Sequence, residues 1–278
     1  MTLMPTWEIM LYVDGPVTVH RPVSTTQQKG FRIDDPFYSD IEIKGIPSGL
    51  KATVTARAPD RVVARKAGVF FFGHMIDALT LTVNCPMYLG LIEREKSFNT
   101  QRHDVKRFIE PEQIEIAFGE AYQLDRGSPS FLRSLGWYRK GLTTDDPFDK
   151  FLSFWNSMEI VAGRYYRYVP TIDKERAKNG SKSQLWECFK ALWGPCEHWP
   201  VIAGQTKWID QSYDIRNGIA HGTDPINIHR IAEVAECLPA IEEISYRFLL
   251  DWRERFLELD RNPPSESLPA EEGELLPE

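Results

Sequence analysis

The sequence predicts an α+β fold, with a small β-containing N-terminal domain followed by an antiparallel bundle of helices. Two observations lead to this class. The segments DIEIKGI and LKATVTARA alternate apolar and polar residues, as half-buried strands do. From Ser128 onward, apolar residues instead recur three and four positions apart, as on the buried face of a helix. We therefore divide the chain into an N-terminal α+β region (1–127), a helical bundle (128–261) and an acidic tail (262–278).

The N-terminal region is β-rich over residues 1–58, which favours a small antiparallel sheet. A helix is predicted over about 60–84, because Asp60 can cap its first turn and apolar residues follow at helical spacing. These residues share one face: Val69, Phe72, Ile76, Leu79 and Val83. The segment QIEIAF (113–118) alternates and is predicted as a short strand.

Five helical segments are predicted in the second half of the chain. They are SPSFLRSLGWYRKGL, DPFDKFLSFWNSMEIVAGRYYRY, SQLWECFKALW, KWIDQSYDIRNGIAHG and a long stretch after Thr223-Asp224-Pro225. The triplet Thr223-Asp224-Pro225 is expected to supply the cap and a first-turn proline for the last helix. Pro239 is expected to kink or divide that helix. The tail is rich in Pro and Glu, which predicts disorder.

Composition indicates where in the cell the protein is expected to be found. The chain has 278 residues, is 42% hydrophobic and 26% charged, and contains no apolar run as long as a membrane span. Its first residues lack the pattern of an export signal, so we expect a cytoplasmic protein without a membrane partner. The four cysteines include no Cys-x-x-Cys pair, which favours reduced thiols.

Cys188, Cys196 and His198 could supply three zinc ligands. A zinc site normally combines a tight pair of ligands with a fourth at suitable spacing, and this set has neither. We therefore expect neither a metal nor a cofactor, and interpret the thiols as buried side chains.

The net charge of −7 is unevenly distributed along the chain. Five glutamates fall in the last 17 residues, which leaves −2 for residues 1–261. The segment 164–184 holds six basic and two acidic residues, with three tyrosines among them. Such a segment is either a phosphate-binding surface with stacking rings or a solvated loop whose tyrosines cover the core. The candidate binding residues there are Arg164, Arg167, Lys174 and Arg176.

The stretch YDIRNGIAHG (213–222) closes a predicted amphipathic helix, with Gly222 at the position of a C-cap glycine. Asn217 and His221 are four residues apart and share a helix face. Arg216 and His221 are five apart, about 140° around an ideal helix. A joint site therefore requires Arg216 to bend round, the helix end to tighten, or a second copy of the chain to complete it.

The chemistry of these side chains suits RNA. A histidine titrates near neutrality and can take a proton from a 2′-hydroxyl or give one to a leaving 5′-oxygen. An arginine presents a planar fork to the charge that grows on the phosphate, and an asparagine can orient the imidazole. None of these steps requires a metal.

The stretch YDIRNGIAHG resembles the Arg-x4-6-His motif of the HEPN superfamily, whose catalytic members typically carry Asn, Asp or His directly after the arginine. SFLRSLGWYRKGL and DPFDKFLSFWNSMEIVA resemble the first two helices of HEPN-like bundles. The resemblance covers about residues 128–260. The full-length pattern, including FFFGHMIDALTLTVNCP, is similar to the MauJ group found among methylamine-utilisation proteins.

The resemblance implies a HEPN-like bundle that forms a homodimer and a metal-independent endoribonuclease that leaves a 2′,3′-cyclic phosphate. Arg216 would stabilise the phosphate charge, His221 would act as general acid or base, and Asn217 would orient. Glu159, on the matching upstream helix, would order the arginine.

Two other interpretations stay open. In the first, the motif belongs to a non-catalytic module that binds RNA, a nucleotide or a protein and assists a methylamine-oxidising system. In the second, the motif is architectural. His221 would then interact with the helix dipole, and Arg216 would pair with Glu159 or Asp214.

Overall fold

The computed structural model describes residues 5–26, 37–91, 106–223, 227–257 and 259. The strands are β1 Thr6–Asp14, β2 Val17–Thr18, β3 Val23–Thr26, β4 Phe37–Ile46, β5 Gly49–Arg57, β6 Tyr88–Gly90 and β7 Arg107–Phe108. The helices are α1 Arg61–Val83, α2 Pro111–Gly127, α3 Pro129–Thr143, α4 Pro147–Tyr165, α5 Lys174–Ala177, α6 Ser181–Trp193, α7 Trp208–Ala220 and α8 Ile228–Phe256. The protein is therefore mixed α+β, with an antiparallel sheet followed by a helical region. The acidic tail 262–278, for which the sequence predicts disorder, lies outside the described residues.

The N-terminal strands form a five-stranded antiparallel sheet in the order β3-β4-β5-β1-β6. Alternate residues of the internal strand β1 are buried: Ile9, Leu11 and Val13. The facing residues of β5 are small or β-branched, including Ala52 and Val54, and are also buried. This alternation is the pattern that predicts the sheet. Strands β2 and β7 form a short parallel pair.

Helix α1 packs against this sheet. Asp60 caps it as predicted, accepting a hydrogen bond of 2.9 Å from the amide of Val63. The helix comes close to β1 at Gly68, where a Cβ would lie 3.5 Å from Cγ2 of Ile9. Among the described helices it is the one with the length and composition to cross a membrane, and 72% of its most apolar window is buried within the protein.

The strand predicted for QIEIAF (113–118) is wrong, because these residues lie in α2. Pro111 starts this helix, and Glu110 and Gln113 form a capping box at its N-terminus. Buried residues then recur three and four apart along the helix: Ile114, Ala117, Phe118, Ala121 and Leu124. The alternation of QIEIAF is too short to outweigh this longer helical period.

Helices α3, α4, α6, α7 and α8 occupy the predicted helical segments. Phe131, Leu135 and Tyr138 of α3 are fully buried. Helices α3 and α4 come close at Gly141, where a Cβ would lie 2.6 Å from the Phe154 ring, so this position needs a glycine. Asp146 caps α4 by accepting hydrogen bonds of 2.9 Å from two backbone amides.

The start of α8 differs from the prediction, and of the two outcomes expected at Pro239, a kink or a division, the structure excludes the division. The N-cap of α8 is Asn227, which accepts a hydrogen bond from the amide of Arg230 at 3.0 Å, while Asp224 and Pro225 lie outside the described residues. The helix continues through Pro239 rather than dividing there. Val234 and Ile241, on either side of the proline, are both buried, so packing holds both halves in one helix.

The predicted boundary at 127/128 falls between α2 and α3. Buried side chains on both sides of it nevertheless belong to one continuous hydrophobic core. Two ion pairs also cross it. Arg139 on α3 contacts Asp77 on α1 at 2.5 Å, and Arg253 on α8 contacts Glu120 on α2 at 3.2 Å. The sheet, α1 and the bundle are thus held together by both apolar and ionic contacts.

Candidate functional site

The Arg216–His221 stretch lies at the C-terminal end of α7. The helix forms because Ile209 and Ser212 are buried on one face, with Tyr213 and Ile215 partly buried beside them. Its side chains dock on α4, where the rings of Trp155 and Tyr213 lie 6.1 Å apart. The motif therefore stands on a helix that the bundle holds in place.

The helix ends in a Schellman motif. Gly222 has φ +63°, the left-handed conformation that favours glycine. Its amide donates to Ile219 at 3.2 Å, and the amide of Thr223 donates to Gly218 at 3.1 Å. These two bonds satisfy carbonyls that the helix end would otherwise leave open. They also fix the backbone on both sides of His221.

Arg216 is held by two neighbours. Its Nη1 donates to Oδ1 of Asn217 at 3.0 Å, and its Nη2 donates to Oε2 of Glu159 on α4 at 3.3 Å. The side chains of Arg216 and Glu159 are 25% and 20% exposed. Its Nε is buried without a hydrogen-bond partner in the described structure. Arg216 is thus oriented by α4 and still reaches the surface.

His221 caps α7 with its backbone and leaves its ring in solvent. Its amide donates to the carbonyl of Asn217 at 2.9 Å. The residue is exposed, and its imidazole makes no hydrogen bond or ion pair within the described part of the chain. The structure therefore joins Arg216, Asn217 and Glu159 in one network and keeps the His221 ring outside it.

The basic segment 164–184 divides into paired and unpaired cations. Lys178 contacts Glu175 at 2.6 Å, and Lys182 contacts Asp210 at 2.8 Å and lies over the Tyr213 ring. These hydrogen bonds raise the pKa of both lysines. The candidate residues Arg164, Arg167 and Lys174 are exposed and have no carboxylate partner among the residues that the structure describes.

The fourth candidate, Arg176, has a structural partner. Its Nε lies 3.4 Å from Oε1 of Glu187, whose side chain is 1% exposed. That carboxylate oxygen has no well-aligned hydrogen bond among the described atoms, so the contact is an ion pair by distance. The guanidinium also lies over the Trp186 ring at 5.5 Å. Arg176 balances a buried charge, whereas the other three candidates do not.

The cysteines and His198 do not assemble into a metal site in the described structure. No group of three or more His, Cys, Asp or Glu side chains there is placed to hold a metal ion. Burial raises the pKa of the Cys188 thiol, and burial with the nearby Glu197 charge raises that of Cys196. Both thiols are therefore disfavoured as thiolate ligands or nucleophiles.

The sequence does not indicate which tyrosine of the segment 165–168 is exposed. Tyr165, Tyr166 and Tyr168 are adjacent in sequence, yet only Tyr168 of the three is largely exposed, at 71%. It ends a 3₁₀ helix, Tyr166–Tyr168, that follows α4. Because this tighter turn follows the helix directly, helical periodicity does not indicate which ring faces solvent.

Comparisons of the chain with models of known families, with curated proteins and with solved structures find no match. Function must therefore be inferred from the residues of the site.

Proposed function

We propose that the protein is a cytoplasmic, HEPN-type endoribonuclease that cleaves RNA through attack of a 2′-hydroxyl on the neighbouring phosphate. The observation that carries this proposal is the contrast between the two key side chains at the end of α7. The His221 ring is exposed and unpaired among the described residues, while Arg216 is held by Glu159 and Asn217 and stays 25% exposed. The His221 ring is open to a substrate, and Arg216 is fixed where it can meet an anion.

The reaction would run by acid–base chemistry at the phosphodiester. An imidazole removes the proton of the 2′-hydroxyl, and the 2′-oxygen forms a bond to the adjacent phosphorus. The bond from phosphorus to the 5′-oxygen breaks, and that oxygen takes a proton from an imidazolium. The products are a 2′,3′-cyclic phosphate and a 5′-hydroxyl. Arg216 stabilises the charge that develops on the phosphoryl oxygens. Proton transfer by imidazole requires no metal.

Two copies of the chain would complete the site. Arg216 and His221 are five positions apart, about 140° around the helix, and Glu159 holds the arginine towards α4. A homodimer with two such motifs in one cleft supplies one histidine as base and the other as acid. We therefore include a homodimer in the proposal, which light scattering on the purified protein tests directly.

One observation favours a second function. Both terminal nitrogens of Arg216 already donate, one to Asn217 and one to Glu159. An arginine that commits two of its five N–H donors to its own scaffold can serve a module that binds RNA, a nucleotide or a protein without cleaving it. Such a module would assist other proteins, as the resemblance to a methylamine-utilisation group implies.

Cleavage of mixed RNA in EDTA separates the two functions. The purified wild-type protein should leave 2′,3′-cyclic phosphate and 5′-hydroxyl ends. His221→Ala should lower the rate by about 10²–10⁴-fold, the usual contribution of a general acid or base. Arg216→Ala should lower it by about 10²–10³-fold. His198→Ala removes another exposed histidine and is the matched control, expected to cleave like wild type.

The outcomes are distinct. Equal cleavage by wild type and His221→Ala indicates a contaminating nuclease and removes support for the site. Retention of RNA without cleavage by any variant favours the binding module. Circular dichroism of each variant checks that the fold is intact, since a helix-terminal histidine is worth only about 0.3–1 kcal/mol through the helix dipole.

A further inference from the structure

Four exposed side chains between the last turn of α4 and the first residue of α5 make up what we call the tyrosine–cation surface. They are Arg164, Arg167, Tyr168 and Lys174. The cations have no carboxylate partner within the described residues, unlike the neighbouring Lys178 and Lys182. Cations that no side chain neutralises are the ones that remain available to an anionic ligand.

The three tyrosines of this region have different roles. The Tyr165 hydroxyl accepts a hydrogen bond of 3.1 Å from the amide of Phe131 and so ties α4 to α3. The Tyr166 side chain is buried, and its hydroxyl accepts a hydrogen bond of 3.1 Å from Nε of Arg167. Tyr168 is 71% exposed. The first two rings belong to the scaffold, and the third has no such contact in the described structure.

Arg167, the residue directly before Tyr168, is held in place by a hydrogen bond. The Tyr166 hydroxyl orients the Arg167 guanidinium, and this hydrogen bond raises the pKa of Arg167. The fixed cation therefore lies one residue before the exposed ring, on the same 3₁₀ turn. A fixed cation beside an exposed aromatic ring is the combination that binds a phosphate and stacks on the adjoining base.

We propose that the tyrosine–cation surface binds single-stranded RNA, with Tyr168 stacking on an unpaired base and the three cations contacting phosphates. This inference deepens the proposed ribonuclease function and rests on it for the identity of the ligand. Single-stranded RNA fits better than duplex, since a ring on a surface turn can stack only on a base that is not already stacked in a helix. Arg176 lies outside the contact set because it balances Glu187.

The tyrosine–cation surface and the partner of Arg216 share helix α4. Glu159 precedes Arg164 by five residues on this helix. Five residues correspond to about 7.5 Å along an α-helix and about 140° around it. A strand bound to the tyrosine–cation surface would therefore cross from one side of α4 to another to reach Arg216.

The test is RNA binding by the His221→Ala protein, which leaves the RNA intact. Fluorescence anisotropy with a labelled single strand of mixed sequence gives Kd. We expect Tyr168→Ala to raise Kd by about 5- to 10-fold, the lower part of the range for one stacked base. Tyr168→Phe keeps the ring and should stay within about twofold of the parent. Tyr122→Ala, which removes a partly exposed tyrosine beside Arg126, is the matched control and should bind like the parent.

The lysines provide a second matched pair. Lys174→Ala removes an unpaired cation, and Lys178→Ala removes one that is paired with Glu175. Each phosphate contact to single strands contributes about −0.7 to the slope of log affinity against log salt. Lys174→Ala should therefore make the slope shallower by about 0.7, and Lys178→Ala should leave it unchanged.

The results separate this surface from the proposed catalysis. Unchanged Kd in Tyr168→Ala and unchanged slope in Lys174→Ala overturn the surface, even if wild type cleaves RNA. RNA binding that depends on both residues, without cleavage by wild type, supports the surface and removes the ribonuclease. Tighter binding to phosphatidylserine vesicles than to RNA, lost in the same variants, identifies a membrane ligand and overturns the RNA assignment.

Discussion

Two arginine–glutamate pairs join helices of this protein at nearly the same distance and in different surroundings. Arg253 contacts Glu120 at 3.2 Å, with 8% and 3% of the side chains exposed. Arg216 contacts Glu159 at 3.3 Å, with 25% and 20% exposed. The geometry is similar, but only the second pair reaches solvent. Burial rather than distance therefore separates an ion pair that holds the fold from one that can meet a ligand.

The two arginines, Arg253 and Arg216, also differ in which helices their hydrogen bonds connect. Arg253 also donates to Thr82 on α1, so its contacts connect α8 with α1 and α2. Arg216 is instead held by Glu159 and by Asn217, its neighbour on α7. The first arginine joins the N-terminal region to the bundle. The second is oriented within the bundle.

The largest loss of stability is expected when the buried pair Arg253–Glu120 is broken. Arg253→Ala leaves the carboxylate of Glu120 in the core without its cation, so we expect the free energy of unfolding to fall by about 3–5 kcal/mol. Urea denaturation followed by circular dichroism measures this change. The double variant Glu120→Leu with Arg253→Met is the control, and it should recover most of the loss because apolar pairs often replace buried ion pairs. A loss below about 1 kcal/mol in Arg253→Ala would show that water already solvates this pair.

A third pair lies between the two extremes. Arg176 is 52% exposed, while its partner Glu187 is 1% exposed. We expect Arg176→Ala to lower the free energy of unfolding by roughly 1–3 kcal/mol, since the buried acceptor loses its main counter-charge. Lys178→Ala breaks the exposed contact with Glu175 and should leave the free energy of unfolding nearly unchanged, because solvent already hydrates both groups. Equal losses in the two variants, measured by the same urea titration, would mean that burial of Glu187 carries no cost.

Local pattern predicts most of the helices and the sheet. Asp60 and the period from Val69 to Val83 mark α1 from sequence, and the alternation in LKATVTARA marks β5. The error at QIEIAF arises because six residues fit both periods, and the capping residues Glu110 and Pro111 decide for a helix. For a short segment, the capping residues at its ends therefore distinguish helix from strand better than the apolar pattern of its interior does.

The pairing of charges could not be predicted in the same way. Arg253 and Glu120 are 133 residues apart, and nothing in the spacing of either residue indicates the other. Likewise, composition does not distinguish Lys174 from Arg176, because the difference lies in whether a buried carboxylate stands opposite. The residues of the candidate site follow from a local motif, and Glu159 as the partner of Arg216 follows from the resemblance. The pairing of Arg176 with Glu187 follows only from the packing of α5 against α6.

Among the three arginine–glutamate pairs, the smallest effect on stability is expected at the partly exposed pair Arg216–Glu159, where the effect on activity should be larger. Glu159→Ala should change the free energy of unfolding by less than about 1 kcal/mol, because solvent can hydrate Arg216 once the carboxylate is gone. RNA cleavage should nevertheless fall by roughly tenfold, about 1.4 kcal/mol in activation free energy, since the carboxylate no longer orients the guanidinium.

Glu159→Gln distinguishes orientation from charge. Its amide oxygen can still accept from Nη2 of Arg216, so cleavage should remain close to wild type if orientation is what Glu159 provides. Cleavage rates and urea titrations on the same preparations give both quantities. A rate above wild type in Glu159→Gln would mean that the carboxylate restrains Arg216 by neutralising it. A loss of several kcal/mol in Glu159→Ala would place this pair with Arg253–Glu120 as part of the scaffold.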